Sequence, residues 1–283
     1  MLDLSHRDDL RWLAQVLADV HAAAPRMETL LVGAMARDLL LHYGHGIALA
    51  RATEDVDLAF AVDDWDQFVS VRDALLRDGR FAPHKAVLHR LRHHQYGWVD
   101  LVPFGAVEQP DRTIAWPPRG DEIMNVLGYR EANASATRVV LPHGQAVQVV
   151  SLPMLAVLKL LAWKDRHLIA PLKDAVDLML ILDKYFEAGN ADRLSTELTH
   201  LLTDDFDFAR TGAWLAGTDA RSLLHMHGAD AEIVIRAMTS ALATELQADG
   251  PLTLVAQMSA SNPEHALQLL VAFHRGLIGA ATP

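Results

Sequence analysis

Short apolar runs alternate with amphipathic segments between about residues 28 and 150. The runs TLLVG and DVDLAFAV have the length of strands and contain β-branched residues. In AMARDLLLHYG and DDWDQFVSVRDALLRDG, apolar residues recur at the spacing of a helix. In the last of these segments, Asp63 and Asp64 are placed where an N-cap and an acidic first turn of a helix belong, and Gly79 is placed at its C-cap. The pattern predicts a mixed α/β region.

Two further stretches predict antiparallel hairpins. One is AVLHRLRHHQYGWVDLVPF, with a turn near Gln95 to Gly97, and the other is RVVLPHGQAVQVVS, with a turn at Pro142 to Gly144. From Pro153 onward nearly every segment has helical periodicity, and proline suits the first turn of a helix. We therefore expect an α+β fold, with a mixed sheet flanked by helices over residues 1–150 and a helical region over residues 151–283.

Composition narrows the class of protein. The chain has 283 residues, of which 51% are hydrophobic, so it can form one large or two ordinary domains with a core. It contains no cysteine, which excludes disulfides and thiolate chemistry. The sequence shows neither an apolar leader nor an apolar run of membrane-spanning length, and we expect a cytoplasmic protein without a membrane partner. A net charge of −11 argues against a broad basic surface for nucleic acid, but it is compatible with a local basic patch.

Two acids precede the apolar run of the second predicted strand. Asp55 and Asp57 share one strand face, about 6.6 Å apart at Cα, where their charges repel. The small residues Ala59 and Ala61 continue this face and suggest that it is covered, with the acids at its mouth. An exposed edge-strand face is the alternative. The opposite face is apolar and suits a core: Val56, Leu58, Phe60 and Val62.

A third acid, Asp100, is the only ionisable residue between Gly97 and Phe104. Burial of a lone carboxylate is costly, so Asp100 is either exposed or compensated by a cation or a metal. If its strand lies beside the strand of Asp55 and Asp57, three carboxylates converge. Three acids suit two divalent ions, because Mg²⁺ prefers hard oxygen ligands and completes its coordination with water and substrate phosphates.

Three other motifs carry candidate chemistry. At the strand-to-helix junction VGAMARD, Gly33 allows the backbone to approach an anion, or it serves tight packing alone. Lys159 is the sole polar side chain of LPMLAVLKLLAW, and it either reaches water or meets an anion. Asp174 and Asp177 lie one helical turn apart, and Lys173 lies four residues before Asp177. An ordinary salt-bridged helix surface also explains this last pattern.

The densest basic stretch is HKAVLHRLRHH, residues 84–94, with Lys85, Arg90 and Arg92. It could bind an RNA backbone or a nucleotide, or it could be a strand with one polar face. A zinc site built from its histidines would need ligands on both faces of that strand, which makes it the least favoured interpretation.

In order and spacing, these motifs resemble those of the nucleotidyltransferases of the DNA polymerase β superfamily, and more closely those of the AbiEii/AbiGii toxin-like group. That pattern runs from a glycine and a small residue, through an arginine-threonine-x-aspartate-x-aspartate strand and a lone strand aspartate, to a helical lysine and a lysine/arginine-aspartate helix. The corresponding positions are Gly33-Ala34, Arg51 to Asp57, Asp100, Lys159, and Lys173-Asp174 to Asp177. The resemblance covers about residues 28–190.

The resemblance implies transfer of a nucleoside monophosphate from an NTP to an acceptor hydroxyl, with Mg²⁺ or Mn²⁺ as cofactor. The metal ligands would be Asp55, Asp57 and Asp100, and Asp100 is often the general base in the family. Asp174 would be the acid of the last motif, with Asp177 as the alternative. The triphosphate would contact Gly33, Ala34, Arg37, Thr53, Lys159 and Lys173, with Lys159 neutralising its charge.

Residues 151–190 would complete the active site, and residues 191–283 would form C-terminal helices. Many members have Gly-Ser or Gly-Gly where this chain has Gly33-Ala34, so here the backbone must replace a hydroxyl contact to phosphate. Toxin-like relatives are associated with tRNA as acceptor, whereas other branches modify proteins or small molecules such as aminoglycosides. We expect a toxin or phage-defence effector with an antitoxin partner. The alternative is an inactive relative that binds a nucleotide or a partner protein.

Overall fold

A computed structural model describes residues 1–49, 53, 55–170, 172–228, 230–247, 250 and 252–283. The chain forms two compact units, Met1–Leu39 with Leu49–Ser151, and Leu40–Ala48 with Leu152–Pro283. The first unit is mixed α/β and the second is helical. The expected α+β fold class, a mixed sheet flanked by helices and followed by a helical region, is confirmed. Arg51 of the predicted strand motif lies outside the described residues.

The described strands are β1 (Leu2–Asp3), β2 (Leu30–Val32), β3 (Val56–Val62), β4 (Phe81–Pro83), β5 (Arg90–His93), β6 (Gly97–Gly105), β7 (Thr113–Ala115), β8 (Ile123–Asn125), β9 (Thr137–Val140) and β10 (Ala146–Val149). Eight of them form one sheet in the order β1-β9-β10-β2-β3-β6-β5-β4, and β7 pairs with β8. The pairs β1/β9, β10/β2 and β3/β6 are parallel, and the other neighbours in the sheet are antiparallel. The sheet is therefore mixed, as the sequence predicts.

The described α-helices are α1 (Arg11–Ala23), α2 (Gly33–Asp38), α3 (Trp65–Arg77), α4 (Tyr129–Ala134), α5 (Leu152–Arg166), α6 (Lys173–Asp183), α7 (Phe208–His227), α8 (Ala231–Glu245), α9 (Thr253–Met258) and α10 (Pro263–Leu277). The first four belong to the α/β unit and the other six to the helical unit. None of the described helices is long and apolar enough to cross a membrane.

Local sequence explains where α3 begins and ends. The Asp64 side chain caps the helix by accepting a hydrogen bond from the Gln67 amide at 2.7 Å. Gly79 follows the helix with a φ of +79°, the left-handed conformation that glycine adopts without a steric penalty. The signal at Gly79 is confirmed, whereas the N-cap is Asp64, the second of the two acids, and not Asp63. The two predicted hairpins are also confirmed, as antiparallel β5/β6 and β9/β10.

Strand β3 forms the centre of the sheet and separates an apolar face from the acid face. The apolar face is buried as predicted: Val56, Leu58, Phe60 and Val62 are each at most 4% exposed. On the acid face, Ala59 is buried but Ala61 is exposed. The prediction of a fully covered face is therefore wrong at Ala61, which lines a surface groove with Gln67 and Ser70 of α3.

Candidate active site

One cross-strand row brings the predicted acids together. Strand β3 runs parallel to β6 and pairs Asp57 with Asp100, while β5 runs antiparallel to β6 and pairs Arg90 with Asp100. Side chains that lie directly opposite one another project from the same face of a sheet. Asp55 precedes Asp57 by two residues and therefore points to the same face. We call Asp55, Asp57 and Asp100 the strand acids.

Arg90 links two of the strand acids. Its Nε donates to Asp100 Oδ1 at 2.8 Å, and its Nη2 donates to Asp100 Oδ2 at 3.0 Å and to Asp55 Oδ2 at 3.2 Å. The side chains of Arg90, Asp55 and Asp100 are 30%, 36% and 18% exposed. Two carboxylates thus converge on one guanidinium nitrogen at a site that solvent reaches.

The charges of all three strand acids act on the same cation, Arg90. Burial alone would lower the pKa of Arg90, but the hydrogen bond to Asp100 and the charges of Asp100, Asp55 and Asp57 outweigh it and raise that pKa. Arg90 therefore stays protonated and offsets the repulsion that the sequence leaves unexplained between Asp55 and Asp57.

Gly33 packs against the third strand acid. Val32, the last residue of β2, pairs with Asp57, and Gly33 follows with a φ of +72°. A Cβ atom at Gly33 would lie 1.9 Å from Asp57 Oδ2 and 2.8 Å from its Cγ. Glycine is required here both for the backbone conformation and for the close approach of the carboxylate. The packing role is observed, and contact with a phosphate stays a prediction.

The other predicted triphosphate contacts of the α/β unit differ in accessibility. Thr53 lies beside the strand acids, and its Oγ1 accepts a hydrogen bond from the Asp55 amide at 3.3 Å. Ala34 is 3% exposed and Arg37 is 1% exposed. The Arg37 Nε donates to Asp38 Oδ1 at 2.8 Å. A phosphate contact by Arg37 would require its guanidinium to leave this buried pair.

In the helical unit, Lys159, Arg166, Asp174 and Asp177 form what we call the helix cluster. The Lys159 ammonium lies 3.3 Å from Asp174 Oδ1 and 2.5 Å from Asp177 Oδ2. Arg166 Nε and Nη2 donate to the two Asp174 oxygens at 2.6 Å and 2.8 Å. Lys173, in contrast, is exposed.

Burial distinguishes the helix cluster from the expected surface pattern. The side chains of Lys159, Asp174 and Asp177 are 5%, 1% and 0% exposed. The two alternatives, that Lys159 reaches water and that the acids form an exposed salt-bridged surface, are therefore wrong. Burial would raise the pKa of Asp174, but the hydrogen bond from Arg166 and the charges of Lys159 and Arg166 outweigh it and lower that pKa.

The donor atoms of the strand acids fit a hard divalent cation. They are carboxylate oxygens, and those of Asp55 and Asp100 already converge on one cationic nitrogen. Among the described residues, no group of three or more histidine, aspartate or glutamate side chains meets the geometric criteria for a metal site. The zinc alternative gains no support, since His93 is buried and its Nε2 lies 3.0 Å from Asp19 Oδ2.

The basic stretch forms a strand with one buried and one polar face. Leu91 is buried, while Arg92 is exposed. The guanidinium carbon of Arg92 lies 5.6 Å from the centroid of the Trp98 ring, and the His84 ring lies 5.3 Å from the same ring. Lys85 is exposed nearby in sequence. Trp98 precedes Asp100 by two residues on β6, so this aromatic and cationic surface adjoins the strand acids on one face of the sheet.

Sequence reasoning missed the link between Arg90 and the strand acids. It placed Arg90 in a basic stretch with a role in binding RNA or a nucleotide. The signal was present in the hairpin, because counting outward from a turn at Gln95 pairs residue 90 with Asp100. The buried pair of His93 and Asp19 was also missed, and it joins residues too far apart in sequence for any local pattern.

Three solved structures have low sequence identity to this chain and low TM-scores. The antibiotic-resistance factor ANT(2'')-Ia is 14% identical over 66% of this chain and 94% of its own, with a TM-score of 0.38. A protein from H. pylori described as a nucleotidyltransferase is 14% identical over 94% of this chain and 95% of its own, with a TM-score of 0.33. CdnC of E. coli MS115-1, from its complex with HORMA-deltaN, is 13% identical over 98% of this chain and 92% of its own, with a TM-score of 0.26.

A search of curated proteins gives no match. The sequence profile of the family described as "Nucleotidyl transferase AbiEii toxin, Type IV TA system" matches residues 15–268, which is most of the chain. Such a family implies an NTP substrate and an antitoxin partner. The chain belongs to the AbiEii family of nucleotidyltransferase toxins of type IV toxin–antitoxin systems.

Proposed function

We propose that this nucleotidyltransferase depends on a divalent metal and transfers a nucleoside monophosphate from an NTP to a hydroxyl of tRNA, as the toxin of its system. The observation that carries the proposal is the row in which Asp57 and Asp100 face one another on parallel strands, with Asp55 on the same face. This row provides the hard oxygen ligands that two-metal phosphoryl transfer requires.

The strand acids divide the work of the reaction. Asp55 and Asp57 would hold the metal together with Asp100, which would also accept the proton of the attacking hydroxyl. A bond forms between the acceptor oxygen and the α-phosphorus, the α–β bridging bond breaks, and pyrophosphate leaves. When bound, Mg²⁺ or Mn²⁺ activates the attacking oxygen and stabilises the leaving pyrophosphate. The backbone at Gly33 would approach the triphosphate, since Ala34 offers no hydroxyl.

In the helical unit, we assign different roles to the two lysines of the motif. Lys159 is buried and paired with two carboxylates, so a phosphate reaches it only at the cost of an ion pair. Lys173 is exposed, and in the described part of the chain its ammonium forms no ion pair. We therefore assign direct contact with the triphosphate to Lys173. Lys159 neutralises the charge of the two buried carboxylates in the same motif, and one of them, Asp174, orients the Lys159 ammonium.

The surface formed by Trp98, Arg92, His84 and Lys85 supports an RNA acceptor. An aromatic ring flanked by cations stacks an unpaired base and attracts the phosphate backbone. The surface is small and the chain as a whole is acidic. Both features agree with recognition of one acceptor rather than with sequence-independent binding along a polyanion. An acceptor with a single-stranded end satisfies both requirements, and tRNA has such an end.

The test is an incubation of pure protein with each α-labelled NTP and total RNA, with Mg²⁺ or with excess EDTA. We expect label in tRNA from one or two of the four NTPs, with Mg²⁺ only. Label in a protein or a small molecule would show that the acceptor is not tRNA. Transfer that survives EDTA would overturn the metal dependence, and no transfer under any condition would overturn the proposed function.

A further inference from the structure

Arg90 uses the same oxygens that a metal would need. Its Nε and Nη2 donate to the two carboxylate oxygens of Asp100, and Nη2 also donates to Oδ2 of Asp55. A guanidinium matches a carboxylate in this two-bond geometry, whereas a divalent cation binds the oxygens directly at a shorter distance. The guanidinium lies between the two acids, where a metal ion that bridges them would have to bind. Arg90 and a bridging metal ion therefore cannot occupy this position at the same time.

We propose that Arg90 is a positioning residue that competes with the divalent cation for Asp55 and Asp100, an inference that rests on the proposed function. The guanidinium holds the acids together until a metal ion loads, and loading displaces it from them. The chain therefore carries its own counter-ion at the site.

The surroundings of Arg90 give the displaced guanidinium a place to go. Its side chain is 30% exposed, so release into water requires little rearrangement. Its guanidinium carbon already lies 5.4 Å from the centroid of the Trp98 ring, close enough for a cation–π contact to hold it once the acids are occupied. A triphosphate is the other anion that a guanidinium binds well.

Competition has a consequence for the order of binding. If the triphosphate draws Arg90 away from the acids, NTP removes the competitor of the metal. Metal and NTP then each increase the affinity of the protein for the other, by more than their direct contact with each other accounts for. The coupling should shrink when the Arg90 charge is removed, because the metal no longer has a competitor to displace.

A matched control lies two residues away. Arg92 contacts the same Trp98 ring as Arg90, at 5.6 Å against 5.4 Å, and lies on the same strand. In the described part of the chain, Arg92 forms no ion pair with a strand acid, since its register partner is Trp98 and not Asp100. Replacing Arg92 therefore removes the same charge and ring contact without removing the competitor.

The experiment is calorimetric titration of Mn²⁺ into full-length wild type, Arg90→Gln, Arg90→Lys and Arg92→Gln, with and without a non-hydrolysable NTP analogue. Without the analogue, we expect Arg90→Gln to bind Mn²⁺ roughly tenfold more tightly than wild type, a difference of about 1.4 kcal/mol. Arg90→Lys, which keeps the charge but loses the fork, should fall between them, and Arg92→Gln should match wild type. The analogue should tighten Mn²⁺ binding less in Arg90→Gln than in wild type.

Equal or weaker Mn²⁺ binding by Arg90→Gln would overturn the competition and assign Arg90 a purely supporting role. If Arg90→Gln does not fold, Arg90→Lys decides, because Mn²⁺ binding no tighter than that of wild type would overturn the competition equally. Label transfer by wild type tests the proposed function separately. Tighter Mn²⁺ binding without any transfer would uphold the role of Arg90 and overturn the proposed function alone.

Discussion

The two units of the chain handle paired carboxylates in opposite ways. In the α/β unit, two strand acids share one guanidinium, and their side chains are 36% and 18% exposed. In the helix cluster, two acids that are at most 1% exposed share one lysine, and one of them, Asp174, also pairs with an arginine. The pairing distances are similar, so burial is what separates the two groups.

Burial decides what each group can do. Removing one partner from a buried pair leaves an uncompensated charge and costs several kcal/mol, so the helix cluster is committed to its partners. Ion pairs that water reaches contribute little to stability, so the strand acids can exchange Arg90 for another cation at small cost. A carboxylate pair that exchanges partners can bind a metal and a substrate, and one that cannot exchange them supports the fold.

The largest expected effect comes from breaking the helix cluster. We expect Lys159→Met to lower the free energy of unfolding by about 3–5 kcal/mol, because it removes the ammonium that pairs with the buried carboxylates of both Asp174 and Asp177. Urea denaturation followed by circular dichroism measures it. Lys164→Met is the control, since Lys164 is exposed near the end of the same helix. Similar stability of the two variants would show that Lys159 has no structural role.

A smaller effect is expected at Gly33. Alanine at Gly33 and alanine at Gly79 both carry the penalty of a left-handed backbone, about 1–2 kcal/mol each. Only at Gly33 would the new Cβ overlap a side chain, that of Asp57, because nothing lies within 4 Å of a Cβ at Gly79. We therefore expect Gly33→Ala to be the less stable variant. We also expect Mg²⁺ to raise the melting temperature of the wild type but not that of Gly33→Ala. Identical melting curves for both variants, with and without Mg²⁺, would contradict this close approach.

The smallest effect is a pH dependence of the Lys159→Met penalty. In the wild type the pKa of Asp174 is lowered from 3.8, so its contribution to stability is fully present above that pH and is lost only in stronger acid. Without Lys159 the burial of Asp174 is less compensated and its pKa rises. The variant then binds the Asp174 proton at a higher pH than the wild type does, so the Lys159→Met penalty shrinks as the pH falls into the acid range.

We therefore expect the Lys159→Met penalty to be smaller at pH 4 than at pH 7, because at pH 4 the variant keeps more of its Asp174 protonated than the wild type does. Urea denaturation of both proteins at the two pH values measures it. The double variant with Asp174→Asn should lose most of this dependence. A penalty that stays constant between pH 4 and pH 7 would show that Asp174 does not sense Lys159.

Local features of the fold were predictable from the sequence. The alternation of apolar residues along β3 predicted its buried face. The acidic residue Asp64 marked the start of α3, and the turn at Gln95 predicted the first hairpin. Each of these signals arises within one element or between two adjacent ones. The family pattern adds the order of the motifs along the chain.

Contacts between distant elements were not predictable in the same way. Lys159 and Asp174 meet because α5 and α6 pack with one particular offset, and helical periodicity does not specify that offset. Ala61 is exposed although Ala59 on the same strand face is buried, and the alternation along the strand does not specify where that cover ends. Arg90 was within reach through hairpin register, but the choice of Asp100 and Asp55 as its partners also needs the pairing of β3 with β6.

The central claim is that the strand acids carry metal-dependent transfer and are not required for folding. The most direct measurement is the initial rate of NMP transfer by Asp57→Asn, with Asp66→Asn on the exposed surface of α3 as control, beside urea denaturation of both without Mg²⁺. We expect Asp57→Asn to be at least as stable as wild type, because one repelling charge is removed, and its rate to fall by about 1,000-fold, or about 4 kcal/mol of transition-state stabilisation. Asp66→Asn should match wild type in rate, with a slight loss of stability because Asp66 lies in the first turn of α3. Transfer by Asp57→Asn at the wild-type rate would contradict the account.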